Sequence, residues 1–296
     1  MIDRATLRAR LADLWGLPEV EVEPHHGGMN SATWFVRAGG CRWVAKAVAP
    51  DAGRSFTAGL AVAARLDATG IPAGAPRPTR HGDLVTDVDG IPLALLRWVP
   101  GEPLTGRDEG ERRLLGATLA RVHRALRDAP VEASDGFHWV DPGADHLVVR
   151  RWLRPQVAAA VAALAALDPR TLSQGMLHTD PAPEAFRLDP ATDDCGLIDW
   201  SVAMTGPLLY DLASAVMYVG GPDRAGPLLD AYLDGGVVSG PEVARGLPVL
   251  LRFRWAVQAD YFARRIFTGD LTGIASPAEN ETGLEHARRW LTRPSP

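Results

Sequence analysis

The chain has 296 residues, 46% hydrophobic and 23% charged, with a formal net charge of −5. That length allows two units with cores of their own, and the acidic balance argues against general nucleic-acid binding, which needs a basic face for phosphates. Cys41 and Cys195 are the only cysteines, too few for a disulfide framework, so the cytoplasm is the expected compartment.

In chain order, "MIDRATLRARLADLWG" reads as a charged amphipathic helix with Leu7, Leu11 and Leu14 on one face, without the apolar core of a signal peptide. From 20 to 97 the pattern is strand-rich: "VEVEPHH", "ATWFVRA", "CRWVAKAV", "LVTDV" and "IPLALLRWV". One helix-length stretch, "SFTAGLAVAARLDAT", interrupts these strands and stops at "GIPAGAPRPT". After "VPGEPLTG" the pattern turns helical, over 109–128, 144–167, 207–219, 223–235, 241–268 and 279–292, with one short strand at "GLIDW". The apolar run "VAAAVAALAAL" is far short of the roughly 20 residues that cross a bilayer and predicts a buried helix. The expected organisation is a strand-rich lobe over 1–97, a hinge at 98–102 and a helical lobe over 103–296.

Three pieces of this pattern carry chemistry. Of the 31 basic residues, Lys46 is the only lysine, and it closes the alternating strand "CRWVAKAV". A compact ammonium on a flexible stem, following a glycine-containing turn, suits phosphate oxygens better than the fixed fork of arginine. "LHTDPAPEAFRLDP" places Asp180 two residues after His178 in a proline-rich loop, where a carboxylate can orient a hydroxyl and accept its proton. Asp199 then ends a hydrophobic strand, and carboxylate oxygen is what Mg²⁺ prefers. Taken singly, each has a bland alternative: a solvated lysine, loop hydrogen bonds, a turn cap. His25 and His26 lack a third ligand at metal spacing, and neither a G-x-S-x-G elbow nor a G-x-G-x-x-G fingerprint occurs.

As an ordered set, "GGMN", Lys46, "RWVPGEPL", "LGATLARVHRAL", "HTDPAPEA", "LIDW" and "YDLAS" resemble the aminoglycoside phosphotransferase and choline kinase-like family of small-molecule kinases. That family's loop reads H-G-D-x-x-x-x-N, and I-D-W stands where protein kinases carry D-F-G. The resemblance implies an α+β, protein-kinase-like two-lobe fold, with a small antiparallel sheet lobe before a larger helical one. It implies phosphoryl transfer from ATP or GTP, with Mg²⁺, to a hydroxyl of a small molecule, by a monomer or homodimer that binds neither nucleic acid nor membrane.

Position by position, the resemblance puts Lys46 on the α/β phosphates, with Gly27, Gly28, Asn30 and Ser31 covering them. Trp98 and Val99 would line the base site through their backbone. Asp180 would be the catalytic carboxylate, His178 would brace its loop, Asp211 would tie the next helix to it, and Asp199 would hold the metal. On the late helix, Trp255, Tyr261 and Phe262 are acceptor-pocket candidates, with Trp255 and Phe262 reading first as core, while Gln258 and Asp260 could face a cleft. Two positions depart from the pattern. The family's Asn is Ala185 here, leaving Glu184 as the substitute metal ligand, with Asp189 further off. No glutamate occurs between Glu23 and Glu102, so the small-lobe helix offers Lys46 no glutamate partner and Asp199 or the nucleotide must serve. These departures leave an inactive nucleotide-binding protein or scaffold as the alternative reading.

Overall fold

A computed structural model describes residues 2–25, 30–127, 135–137 and 140–293. The chain folds as α+β, with an antiparallel sheet in one compact unit and mainly helices in the other. The first unit runs to Leu104 and takes the chain back for Glu184–Ala203; the second holds Thr105–Arg127, Gly136–Pro183 and everything from Met204 on.

In the first unit, α1 (Arg4–Trp15) is capped by Asp3, whose carboxylate accepts the Ala5 and Thr6 N–H groups, and is stopped by Gly16 in the left-handed region. It buries Leu7, Leu11 and Trp15, while Leu14 is only half-buried. The sheet contains β1 (Glu21–His25), β2 (Ser31–Ala38), β3 (Cys41–Val48), β4 (Thr86–Val88) and β5 (Ile91–Arg97), ordered β1-β2-β3-β5-β4. Alternation decides its two faces. Trp34, Val36, Ala45, Ala47, Leu93 and Leu95 pack with α1, so Lys46, opposite Thr33 and Ala94, points to the other face. On that face α2 (Gly53–Ala68) buries Phe56 and Leu60 against Val48 and Ala94. A small sheet of Glu102–Pro103, Phe186–Leu188 and Cys195–Leu197 completes this unit.

The second unit contains α3 (Glu109–Ala125), α4 (Leu153–Leu167), α5 (Leu209–Tyr218), α6 (Gly226–Asp234), α7 (Gly240–Thr268) and α8 (Pro277–Leu291). Within it, α5 is buried on all sides from Leu209 to Met217. The strands Gln174–Leu177 and Met204–Pro207 pair antiparallel, and His178 is the residue that leaves the first of them.

The helix expected over 144–167 starts at Leu153, because Asp145–Val149 forms a 3₁₀ turn and Arg150 is extended. That expected over 223–235 splits into a 3₁₀ turn at Pro222–Arg224 and α6, with Pro227 in its first turn. Strands of two to four residues at 102, 174, 186 and 204 are too short to show a period of two and were not expected. Among the described residues no helix is long and apolar enough to cross a membrane.

Candidate active site

Lys46 has partners inside its own unit. Its Nζ donates to Asp199 Oδ1 and to Ser201 Oγ at 2.7 Å, and the Ser201 hydroxyl donates to the same Asp199 oxygen at 2.7 Å. The lysine side chain is 10% exposed and the Asp199 carboxylate 59%. Asp199 sits at φ 73°, a left-handed conformation that Asp tolerates better than most residues. Trp200 anchors the turn: its ring is buried and its Nε1 donates to the Leu197 carbonyl at 2.8 Å. Helix α2 meets this turn at Gly59, where an added Cβ would lie 1.5 Å from the Trp200 carbonyl oxygen. The one carboxylate on α2, Asp67, lies in its last turn and accepts the Ala73 N–H at 2.7 Å, so the ammonium pairs with Asp199 and Ser201.

In the second unit, the loop after strand Gln174–Leu177 is held by a fully buried carboxylate from the first turn of α5. Asp211 Oδ2 accepts the His178 N–H at 2.6 Å and Oδ1 the Thr179 N–H at 2.7 Å. His123 on α3, which sequence reasoning missed, adds an Nε2 contact of 3.1 Å to Asp211 and an Nδ1 contact of 2.7 Å to the Tyr232 hydroxyl. A carboxylate only accepts, so Nε2 is the donor to Asp211, and the Tyr232 phenol, pushed well above its usual pKa by burial, keeps its proton beside Nδ1. This restraint holds Thr179 at φ 74°, costly for a β-branched residue at the position where the resembled motif has glycine. His178 itself is buried.

Asp180 follows, its side chain 51% exposed. Its Oδ1 accepts Arg254 Nη2 at 2.8 Å and the Tyr218 hydroxyl. Arg254, only 6% exposed, also donates Nε to Ser214 Oγ at 2.9 Å and Nη1 to Gln258 Oε1 at 3.1 Å. Burial disfavours this guanidinium, but Tyr210, Tyr218 and Asp180 outweigh that cost and raise its pKa. No described residue donates to Asp180 Oδ2. Neither Tyr218 nor Arg254 was singled out from the sequence. Tyr218 is seven residues, two helical turns, after Asp211, a spacing that could have pointed to it; Arg254 gave no such signal.

Residues 21–247 match the family model described as the phosphotransferase enzyme family. The chain belongs to that family. It is 28% identical over 247 residues to a homoserine kinase of Caulobacter sp. (strain K31), covering 75% of each chain. An amicoumacin kinase solved with AMP-PNP and Ca²⁺ shares the fold at a TM-score of 0.75, with 13% identity over 98% of this chain and 93% of that one. A microcompartment-associated aminopropanol kinase does so at 0.70, with 16% identity over 98% and 95%.

The remaining expected site residues of this phosphotransferase fall as follows. Gly27, Gly28 and His26 lie outside the described residues. Asn30 is exposed, and Ser31 opens β2 half-buried. Trp98 is half-buried, with the Arg42 guanidinium 3.7 Å over its ring and Phe35 edge-on at 5.4 Å; Val99 is buried. Glu184 is exposed on a 3₁₀ turn, and the Ala185 carbonyl accepts the Ile198 N–H at 2.9 Å. On α7, Trp255 is core, stacked on Trp290 at 5.4 Å; Asp260 is engaged by His146 Nε2 at 2.6 Å. Among the described residues no group of three His, Cys, Asp or Glu side chains is arranged to hold a metal ion. The donor set fits Mg²⁺ of the kind that takes one or two carboxylates and completes its shell with phosphate oxygens and water, since Asp199 keeps an exposed carboxylate.

Proposed function

We propose that this phosphotransferase moves the γ-phosphoryl group of ATP or GTP to a hydroxyl of a small amino alcohol or amine-bearing natural product. Two aspartates with opposite environments carry the reading: Asp211 is buried and spent on loop backbone, while Asp180 beside it is half exposed with Oδ2 free of protein donors among the described residues. The loop is fixed so that one carboxylate oxygen stays available for chemistry. The acceptor class is supported by the relatives, a homoserine kinase and an aminopropanol kinase, each named for a substrate bearing both a hydroxyl and an amine.

In the transfer, a lone pair of the acceptor oxygen attacks the γ-phosphorus as the bond to the β,γ-bridging oxygen breaks. The bond electrons leave with the nucleoside diphosphate and the hydroxyl proton passes to Asp180 Oδ2. Lys46 binds the α/β phosphates, with Asn30 and Ser31 beside them and the backbone of Trp98 and Val99 at the base. Asp199 would hold Mg²⁺, with Glu184 as the second carboxylate, and the ion would offset phosphate charge. His178 contributes through its backbone by setting the loop's exit from its strand.

A screen of amino alcohols and hydroxylated amine antibiotics for acceptor-dependent nucleoside diphosphate release tests the proposal. The expected result is turnover with at least one acceptor and its loss in Asp180→Ala. Turnover by Asp180→Ala at the wild-type rate would overturn Asp180's role. Stabilisation by nucleotide with no turnover across the screen would replace the transfer reading with a nucleotide-binding one.

A further inference from the structure

The loop His178–Ala185 contains no lysine or arginine. A carboxylate that must work against the charge of a triphosphate therefore has no cation from its own segment, and at half exposure its two torsions are free unless something restrains them. Both deficits are met from elsewhere in the same unit. Tyr218, the last residue of α5, and Arg254, on α7, converge on one oxygen of Asp180. The guanidinium reaches the loop by a second route as well. Its Nε donates to Ser214 Oγ at 2.9 Å, and that hydroxyl donates to the Thr179 carbonyl at 3.2 Å. One buried side chain thus restrains both the peptide before Asp180 and the carboxylate itself.

We propose that Arg254 and Tyr218 are the positioning residues of the transfer step: by occupying Oδ1 of Asp180 they leave Oδ2 as the single oxygen that meets the acceptor hydroxyl. This rests on the reading of Asp180 as that carboxylate. Neither residue touches the reacting atoms. Each nitrogen of Arg254 already donates to a protein oxygen: Nε to Ser214, Nη1 to Gln258, and Nη2 to Asp180 and, at 3.3 Å, to the Tyr218 hydroxyl. Two donors on one oxygen fix both side-chain torsions, so the proton acceptor has one direction and not several.

The test compares Tyr218→Phe, Arg254→Lys, Asp180→Ala and the double variant Tyr218→Phe/Asp180→Ala in the wild-type assay. Tyr218→Phe deletes one oxygen and keeps the ring, so it should fold; it is expected to lower kcat roughly tenfold. Its nucleotide KM and its nucleotide-induced rise in Tm should match wild type. Arg254→Lys keeps a cation but loses the fork, and is expected to lose on the order of 10- to 100-fold in kcat. The double variant should be no slower than Asp180→Ala alone, since a residue acting through Asp180 has nothing left to position. A merely structural role would leave that loss additive. Additive losses, or wild-type kcat in Tyr218→Phe while Asp180→Ala is dead, would overturn the proposal. Activity retained by Asp180→Ala would instead sink the reading beneath it. Should Arg254→Lys fail to fold, Tyr218→Phe and the double variant decide the matter.

Discussion

Gly59, midway along α2, lies directly under the carbonyl oxygen of Trp200, so that a Cβ there would stand 1.5 Å from that oxygen. Glycine inside a helix ordinarily costs roughly 0.5–1 kcal/mol relative to alanine, and Gly→Ala there usually stabilises. Here backbone meets backbone, and neither side can swing away. Overpacking of this kind costs about 1–3 kcal/mol, which exceeds the propensity gain. Gly59→Ala is therefore expected to lower the urea midpoint, and because Trp200 lies between Asp199 and Ser201, to weaken nucleotide-dependent stabilisation as well. A higher midpoint would show that α2 does not approach so closely.

The same contact separates what could be read in the sequence from what could not. A lone lysine at the end of an alternating strand, and the ordered pieces "HTDPAPEA" and "LIDW", pointed to the fold and to the residues worth watching. The absence of a helix glutamate was visible; the close approach of α2 to the Trp200 carbonyl was not, because a glycine reads as weak helix and carries no sign of what it touches. Arg254 was equally opaque. Its partner Asp180 is 74 positions away, and an arginine in "LRFRWAVQ" gives no hint whether it faces solvent or a carboxylate. Asp211 was legible as a tie to the loop, but His123 and Tyr232, from two other helices, become its neighbours only through tertiary packing.

Lys46 allows fold and ligand effects to be separated. Its side chain is only 10% exposed, but its partner Asp199 is 59% exposed, so replacing the lysine with an apolar chain of similar length leaves a carboxylate that water can solvate and no buried unpaired charge. Lys46→Met should therefore change the melting temperature without ligand very little. If Lys46 binds phosphate, the rise in Tm on adding Mg²⁺–nucleotide should be lost in that variant. Lys46→Arg should also lose most of it, because a planar fork does not fit where one Nζ meets both Asp199 and Ser201. Thermal shift on the three proteins, with and without nucleotide, checks this. An unchanged ligand response in Lys46→Met would remove the residue from the nucleotide site.

Asp211 is the opposite case, a carboxylate whose worth is structural. It is fully buried and accepts two backbone N–H groups and an imidazole. Asp211→Asn keeps the shape but turns an amide NH₂ towards donors on at least one side, leaving buried groups unpaired. A loss of roughly 2–5 kcal/mol in unfolding free energy is expected, read from urea melts. A stability loss below 1 kcal/mol would mean that the loop is held by other contacts.

Arg265 and Asp270 set a pH dependence at the end of α7. Arg265 is buried, donating to Asp270 Oδ2 at 2.9 Å, to Asn280 Oδ1 at 3.0 Å and to the Thr272 carbonyl at 2.6 Å. Burial of Asp270 works to raise its pKa, but the Thr272 hydrogen bonds and the charges of Arg265 and Arg264 outweigh it and hold it below 3.8. A folded-state value below the unfolded one means that the unfolded chain binds the proton first. The stabilisation is thus complete above 3.8 and is lost as pH falls through the lower, folded value. Asp270→Asn should cost about 1–3 kcal/mol at neutral pH, the worth of a hydrogen bond to a charged group. It should also flatten the fall in stability below pH 4 relative to wild type. Parallel acid limbs in the two proteins would show that Asp270 contributes nothing to the acid sensitivity of the fold.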